Sequence, residues 1–236
     1  MREVLLEVCV DSPEGLAAAV EGGADRIELC AALGLGGLTP APGLMALAAR
    51  VAVPVMVLIR PVAGGFLYDG PTVEAAVEDI RAAKALGLAG VVVGAGGPEG
   101  LDMPVMERLL AAADGMDVTL HRVIDVVGPW ERALDQAMAL GIGRVLSSGG
   151  AVTALAGIER LAAMETHAAG RLVVMPGSGV TAETVGPILR RLKTREVHAS
   201  CSVTEAGDPA LVRLGFAGET VRRTSAAVVR GMKGAG

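Results

Sequence analysis

The sequence predicts a (β/α)8 barrel, and three observations carry that expectation. Short β-rich runs alternate with longer Ala/Leu-rich runs of helical period. Eight such units follow one another at an even spacing of roughly 25 to 30 residues. No low-complexity linker divides the 236 residues. An open doubly wound sheet is the alternative, and the number of units with their even spacing favours the barrel. One domain then covers 1–236, with 202–236 as the last loop and closing helix. Aromatic residues make up only 2% of the chain against 52% hydrophobic, so the core has to be packed from Ala, Val, Leu, Ile and Met.

Strands are expected at 4–10, 25–30, 54–60, 90–94, 117–121, 143–148, 171–175 and 195–200, where runs such as VLLEVCV, PVMVLIR and GVVVG concentrate β-branched residues. Helices are expected at about 12–22, 41–51, 72–86, 103–114, 130–140, 153–169, 181–192 and 218–231. Ser12 before Pro13, and Thr181 before Glu183, read as helix starts. The glycines of EGGAD, ALGLAG and ALGIGR fall where left-handed helix ends need them. The stretch 202–217 is the least regular and is expected as a loop.

A net charge of -5 argues against a general nucleic-acid surface. No run of 18 apolar residues predicts a membrane span, and the N-terminus lacks the pattern of a signal peptide. Cys9, Cys30 and Cys201 are an odd set without CxxC spacing, which argues against a disulfide framework and a zinc-finger-type site and fits a reducing cytoplasm.

Side chains alternate across a strand, and in a barrel one parity packs on the helices while the other faces inward. Leu6, Val8, Val10, Ile27, Leu29, Val55, Val57 and Ile59 form the apolar parity. The other parity sends Glu7, Cys9, Arg26, Glu28, Cys30, Arg60, His121 and His198 inside. The sixth strand is ambiguous, so either Ser147 or Ser148 enters the site. A structural barrel interior is filled by branched aliphatics. Buried ionisable groups must instead pair with one another or line a polar cavity at the C-terminal mouth. In the cavity reading Glu7, Glu28, His121 and His198 are the catalytic candidates. Arg26, Arg60, Arg122, Asp125 and Ser147 are the substrate-binding candidates. For Arg122 and Asp125 a loop-fixing salt bridge is the competing role.

MPGSGV (175–180) leads from the seventh strand into a helix, so Gly177, Ser178 and Gly179 are candidates for an anion site, or for a tight turn alone. SSGG (147–150) could add to that site. Tyr68 and Phe66 lie in a long loop after the third strand and suggest a lid or an oligomer contact. Cys9 and Cys30 share inward parity on adjacent strands and could hold a soft cation such as Cu(I); small core residues are the other reading. The lysines, Lys84, Lys193 and Lys233, fall on helices or the tail, which argues against a Schiff-base aldolase. No dinucleotide fingerprint is present.

The blocks LEVCVDS, GGADRIELC, GGLTP, IRP followed by GGFLY, HRVID, SSGG, MPGSGV and HAS, in that order over about residues 4–201, resemble the CutC family, which is named for copper homeostasis. The resemblance implies a cytoplasmic TIM barrel that forms homodimers or higher homo-oligomers, with copper ligation falling on Cys9 or Cys30. Val123 and Ile124 stand where the family usually has Ala and Phe, leaving His121, Arg122 and Asp125 in place. Two functions follow as expectations. One is a copper-associated protein binding Cu(I). The other is an enzyme acting on a small anionic or sugar-like molecule at the barrel mouth.

Overall fold

The computed structural model describes residues 4–235; positions 1–3 and 236 lie outside the described residues. The expected strands form β1 (Leu5–Val10), β2 (Arg26–Leu29), β3 (Val55–Leu58), β4 (Gly90–Val93), β5 (Asp117–Leu120), β6 (Arg144–Ser147), β7 (Val173–Pro176) and β8 (Glu196–Ala199). They make one parallel sheet in the order β8-β1-β2-β3-β4-β5-β6-β7. β7 lies against β8, which brings the sheet round into a barrel.

Helices α1 (Pro13–Gly22), α2 (Pro42–Ala48), α3 (Gly70–Ala85), α4 (Met103–Ala112), α5 (Trp130–Ala139), α6 (Ile158–Ala168) and α7 (Ala182–Arg191) return the chain between strands. Local chemistry sets their ends. Gly15 N–H donates to Ser12 Oγ at 2.9 Å, Pro13 opens the helix where no N–H is needed, and left-handed Gly23 closes it. α6 starts later than its sequence pattern, at Ile158, because the chain at Gly157 is pressed against the loop after β6. A Cβ on Gly157 would sit 2.0 Å from the Ser148 carbonyl oxygen.

Strand parity divides the interior as the alternation requires. Leu6, Val8, Val10, Ile27, Leu29, Val55, Val57 and Ile59 belong to the large core between sheet and helices. Cys9, Cys30, Met56, Leu58 and Val92 form a separate small cluster inside the barrel. Each large aliphatic side chain fully buried in the outer layer contributes about 1.5–3 kcal/mol.

The tail departs from the expectation of a loop over 202–217 and a helix over 218–231. Strands β9 (Ser202–Ala206) and β10 (Thr220–Thr224) pair antiparallel, with the short helix α8 (Pro209–Arg213) between them. SVTEA and TVRRT carry too few apolar residues to reveal a strand, and their pairing rests on backbone hydrogen bonds at the surface. The closing helix is α9 (Ala226–Ala235), which packs on α1 and α7 through buried Val229 and Met232. Among the described residues no helix is long and apolar enough to cross a membrane.

Candidate functional site

Parallel register builds the centre of the site. Glu7 on β1 stands beside Arg26 on β2 and His198 on β8, while Cys9 stands beside Glu28. All five face inward and are at most 7% exposed. His198 Nδ1 bonds Glu7 Oε1 at 2.8 Å, and Arg26 Nε donates to Glu7 Oε2. The other imidazole nitrogen, Nε2, lies 3.7 Å from Glu28 Oε2. One ligand atom from each of Cys9, Glu28 and His198 lies within 4.8 Å of the other two. A histidine with one nitrogen held by a carboxylate and the other facing a thiol and a second carboxylate is oriented as metal-bound histidines are.

The electrostatics follow from burial and this packing. Burial opposes charge on Glu7, yet the hydrogen bond and charge of His198, with Arg26, hold its carboxyl at about 2. Burial pushes the Glu28 carboxyl up, with the Glu7 charge adding to it and His198 opposing. Burial also works against the His198 imidazolium, but Cys9, Glu28 and Glu7 raise it well above the usual range. A cation at this cluster would therefore displace a proton from His198.

Cys30, expected as a partner of Cys9, is not in the convergent group. Register is the reason: the neighbour of Cys9 is Glu28, and Cys30 lies beyond the end of β2. Its thiol donates to Glu28 Oε2 at 3.5 Å. Burial and the Glu28 charge push that thiol far up, so it stays protonated.

Arg26, expected at the substrate, instead belongs to the barrel floor. It is the first residue of β2, and its Nη2 donates to Glu196 Oε2 at 2.6 Å as well as holding Glu7. Arg144 reaches the same Glu196 oxygen at 2.6 Å and Asp117 at 3.1 Å. Arg144 and Glu196 are not among the residues expected here, although the alternation that turns His198 inward turns Glu196 inward too.

Across the interior, Arg60 and His121 flank Phe66. The Arg60 guanidinium lies 5.2 Å from the centre of the Phe66 ring, which packs 4.8 Å from the centre of the His121 ring. Tyr68 follows in the same loop. The polar interior thus has two poles, one around His198 and one around His121.

Arg122, Asp125 and Ser147 take the loop-fixing role. The Asp125 carboxylate accepts from Ser147 Oγ at 2.6 Å, Arg122 Nε at 2.7 Å, Gly150 N–H at 2.9 Å and Ser148 N–H at 3.0 Å. Ser147 also touches Met164 Sδ on α6, so it has the parity of Val145 and faces the helix layer. The SSGG loop is a ring of donors, and an internal carboxylate fills it. Gly149 and Gly150 both have φ near +70° there, and a Cβ on Gly149 would meet the Gly157 carbonyl oxygen at 2.2 Å. Burial opposes the Asp125 charge, but the bonds from Ser147 and Arg122 hold its carboxyl below the usual range. Asp125→Ala should therefore cost about 1–3 kcal/mol by leaving the buried Ser147 and Ser148 donors unpaired; urea denaturation measures it.

In the loop after β7, Gly177 N–H bonds the Ser147 carbonyl at 2.9 Å and Ser178 Oγ bonds the Val152 carbonyl at 2.8 Å. Gly179 abuts Thr153, and a Cβ there would meet the Thr153 methyl at 2.7 Å. Of the backbone N–H groups expected to meet an anion here, that of Gly177 is spent on loop packing.

Fold and site together define a (β/α)8 barrel protein with a buried thiol, carboxylate and imidazole placed for a metal ion or small molecule. The chain belongs to the CutC family, whose profile matches residues 4–203. A CutC family protein of Sinorhizobium medicae is 52% identical over 235 residues, covering 99% of this chain and 96% of its own. Another from Agrobacterium fabrum is 49% identical over 238 residues, covering 99% and 95%. The solved CutC structure from Streptococcus agalactiae superposes with a TM-score of 0.79 at 29% identity, covering 84% of this chain and 98% of that one. Thiamine phosphate pyrophosphorylase from Pyrococcus furiosus superposes at 0.59 with 13% identity, covering 98% and 95%, a likeness of fold alone.

Proposed function

We propose that this protein binds a borderline divalent cation of the zinc type at Cys9, Glu28 and His198, and that the barrel mouth above it receives a small molecule. The convergence of three different donors inside the barrel, with Glu7 behind His198, carries the reading. Thiolate, imidazole and carboxylate are all zinc ligands, and three protein ligands leave a position open. Copper(I), which the family's name suggests, prefers several soft sulfur donors. This set has one, and Cys30 is committed as a thiol to Glu28, so the site does not suit Cu(I).

Three free, buried cysteines accord with a reducing cytoplasm. Leu214 and Phe216, 59% and 79% exposed beyond α8, accord with a homodimer or higher homo-oligomer.

A second reading is supported by the raised Glu28 carboxyl beside His198. There the pair acts as acid and base on a small anionic or sugar-like substrate without a metal.

The test is anaerobic competition against a chelator with Zn2+ and, separately, Cu(I). Zinc retention that is lost in both Cys9→Ser and His198→Asn, with weaker hold on Cu(I), supports the cation site. Equal retention in parent and variants overturns it and leaves the acid–base reading.

A further inference from the structure

We propose that Arg60, Tyr68 and His121 form a separate pocket for a small carboxylate or comparable oxyanion. The pocket adds to the cation site without resting on it.

The first support is an uncompensated charge. Arg60 is 7% exposed, and its hydrogen bonds all go to carbonyls: Nη1 donates to Leu35 and Gly37 at 3.0 and 2.8 Å, and Nη2 to Gly64 at 2.7 Å. Among the described residues it pairs with no carboxylate, whereas the buried Arg26 has two. A buried cation without a counter-ion is costly, and an incoming anion relieves that cost.

The second support is the polarity of the unpaired atoms. Among the described residues, the buried side-chain nitrogens and oxygens without a hydrogen-bond partner are Arg60 Nε, Tyr68 Oη and His121 Nε2. Arg60 and His121 both pack against the Phe66 ring, and the Arg60 charge acts on both His121 and Tyr68, so the three share one neighbourhood. His121 Nδ1 accepts from Val123 N–H at 3.1 Å, and the tautomer that goes with this bond carries its proton on Nε2. Burial, with the Arg60 charge adding to it, holds the imidazole neutral with a value of about 3. Burial pushes Tyr68 up to about 12, so it keeps its O–H.

All three groups therefore offer N–H or O–H, and the ligand must bring the acceptors. Nη1 of Arg60 spends both of its N–H groups and Nη2 one of its two, so Nε–H and the second Nη2 N–H remain. These two N–H groups offer the anion a side-on fork, with the His121 and Tyr68 donors beside it. A carboxylate or oxyanion oxygen satisfies this arrangement; a neutral polyol leaves the Arg60 charge unanswered.

The sequence supplies its own reporters, since Tyr68 is the sole tyrosine and His121 is one of three histidines. Metal-free Cys9→Ser protein carrying labelled histidine and tyrosine is titrated in NMR with acetate and with inorganic phosphate, at constant ionic strength, with glycerol as the neutral control. The expected result is a His121 tautomer protonated on Nε2, with saturable shifts at His121 and Tyr68 for acetate, phosphate or both, and none for glycerol. Arg60→Met should weaken binding by about tenfold or more. Because Arg60 also ties two loops, Tyr68→Phe is the gentler variant. It removes one unpaired hydroxyl, so it should weaken anion binding about threefold or more without lowering the stability of the anion-free protein. A proton on Nδ1, no saturable shift with either anion, an equal response to glycerol, or unchanged affinity in Tyr68→Phe would each overturn the pocket.

Discussion

Glu7→Gln is expected to cost the protein both stability and its hold on a cation. The carboxylate is fully buried and joins Arg26 on one oxygen to His198 on the other. Removing its charge leaves two buried cationic groups without their common partner, a loss of about 3–5 kcal/mol. Cation affinity should fall about 10- to 100-fold, because the amide no longer fixes the His198 tautomer and ring. The pH dependence has a definite sign. A carboxyl held at about 2, below its ordinary 4.5, contributes stability that is present above 4.5 and lost as the pH falls towards 2. Glu7→Gln should flatten that limb. An unchanged urea midpoint together with unchanged zinc affinity would show that Glu7 supports neither the fold nor the cation site.

His121 carries the second large effect, on stability towards acid. Its value of about 3 lies below the ordinary 6.5 because of burial and the Arg60 charge. Its contribution is fully present above pH 6.5 and lost as the pH falls towards 3, at about 1.4 kcal/mol for each unit. His198 runs the other way. Its imidazolium is raised, so its contribution is present below 6.5 and lost as the pH rises through the folded value. His121→Asn, which does not titrate, should therefore resist acid better than the parent relative to its own stability at neutral pH. Equal slopes of stability against pH in parent and variant would show that His121 accepts a proton in the folded protein as readily as in the unfolded chain.

Much of this interior was legible because alternation along a strand is a property of the backbone. Glu7, Glu28 and His198 are interleaved with the apolar residues of their strands, and the hydrophobic pattern alone turns them inward. Height within the barrel was not legible in the same way. Arg26 shares the parity of Glu28 but opens its strand, which places it on the floor with Glu196 and Arg144. Register was also hidden. Cys9 and Cys30 agree in parity, yet the offset between β1 and β2 gives Cys9 the company of Glu28. In the sixth strand two adjacent apolar residues, Val145 and Leu146, concealed the parity, so the direction of Ser147 emerged only from its contacts with Asp125 and Met164. The donor ring of SSGG reads as an anion site in sequence because the Asp125 carboxylate that fills it arrives from a different loop. The outer hairpin was missed because its strands bury almost nothing.

The cation site is tested most directly by X-ray absorption at the zinc edge on protein loaded anaerobically with one equivalent of Zn2+. The expected shell holds a single sulfur at about 2.3 Å and nitrogen and oxygen donors at about 2.0–2.2 Å, the sulfur disappearing in Cys9→Ser and an imidazole signature disappearing in His198→Asn. A shell with no sulfur, or with two, would contradict it.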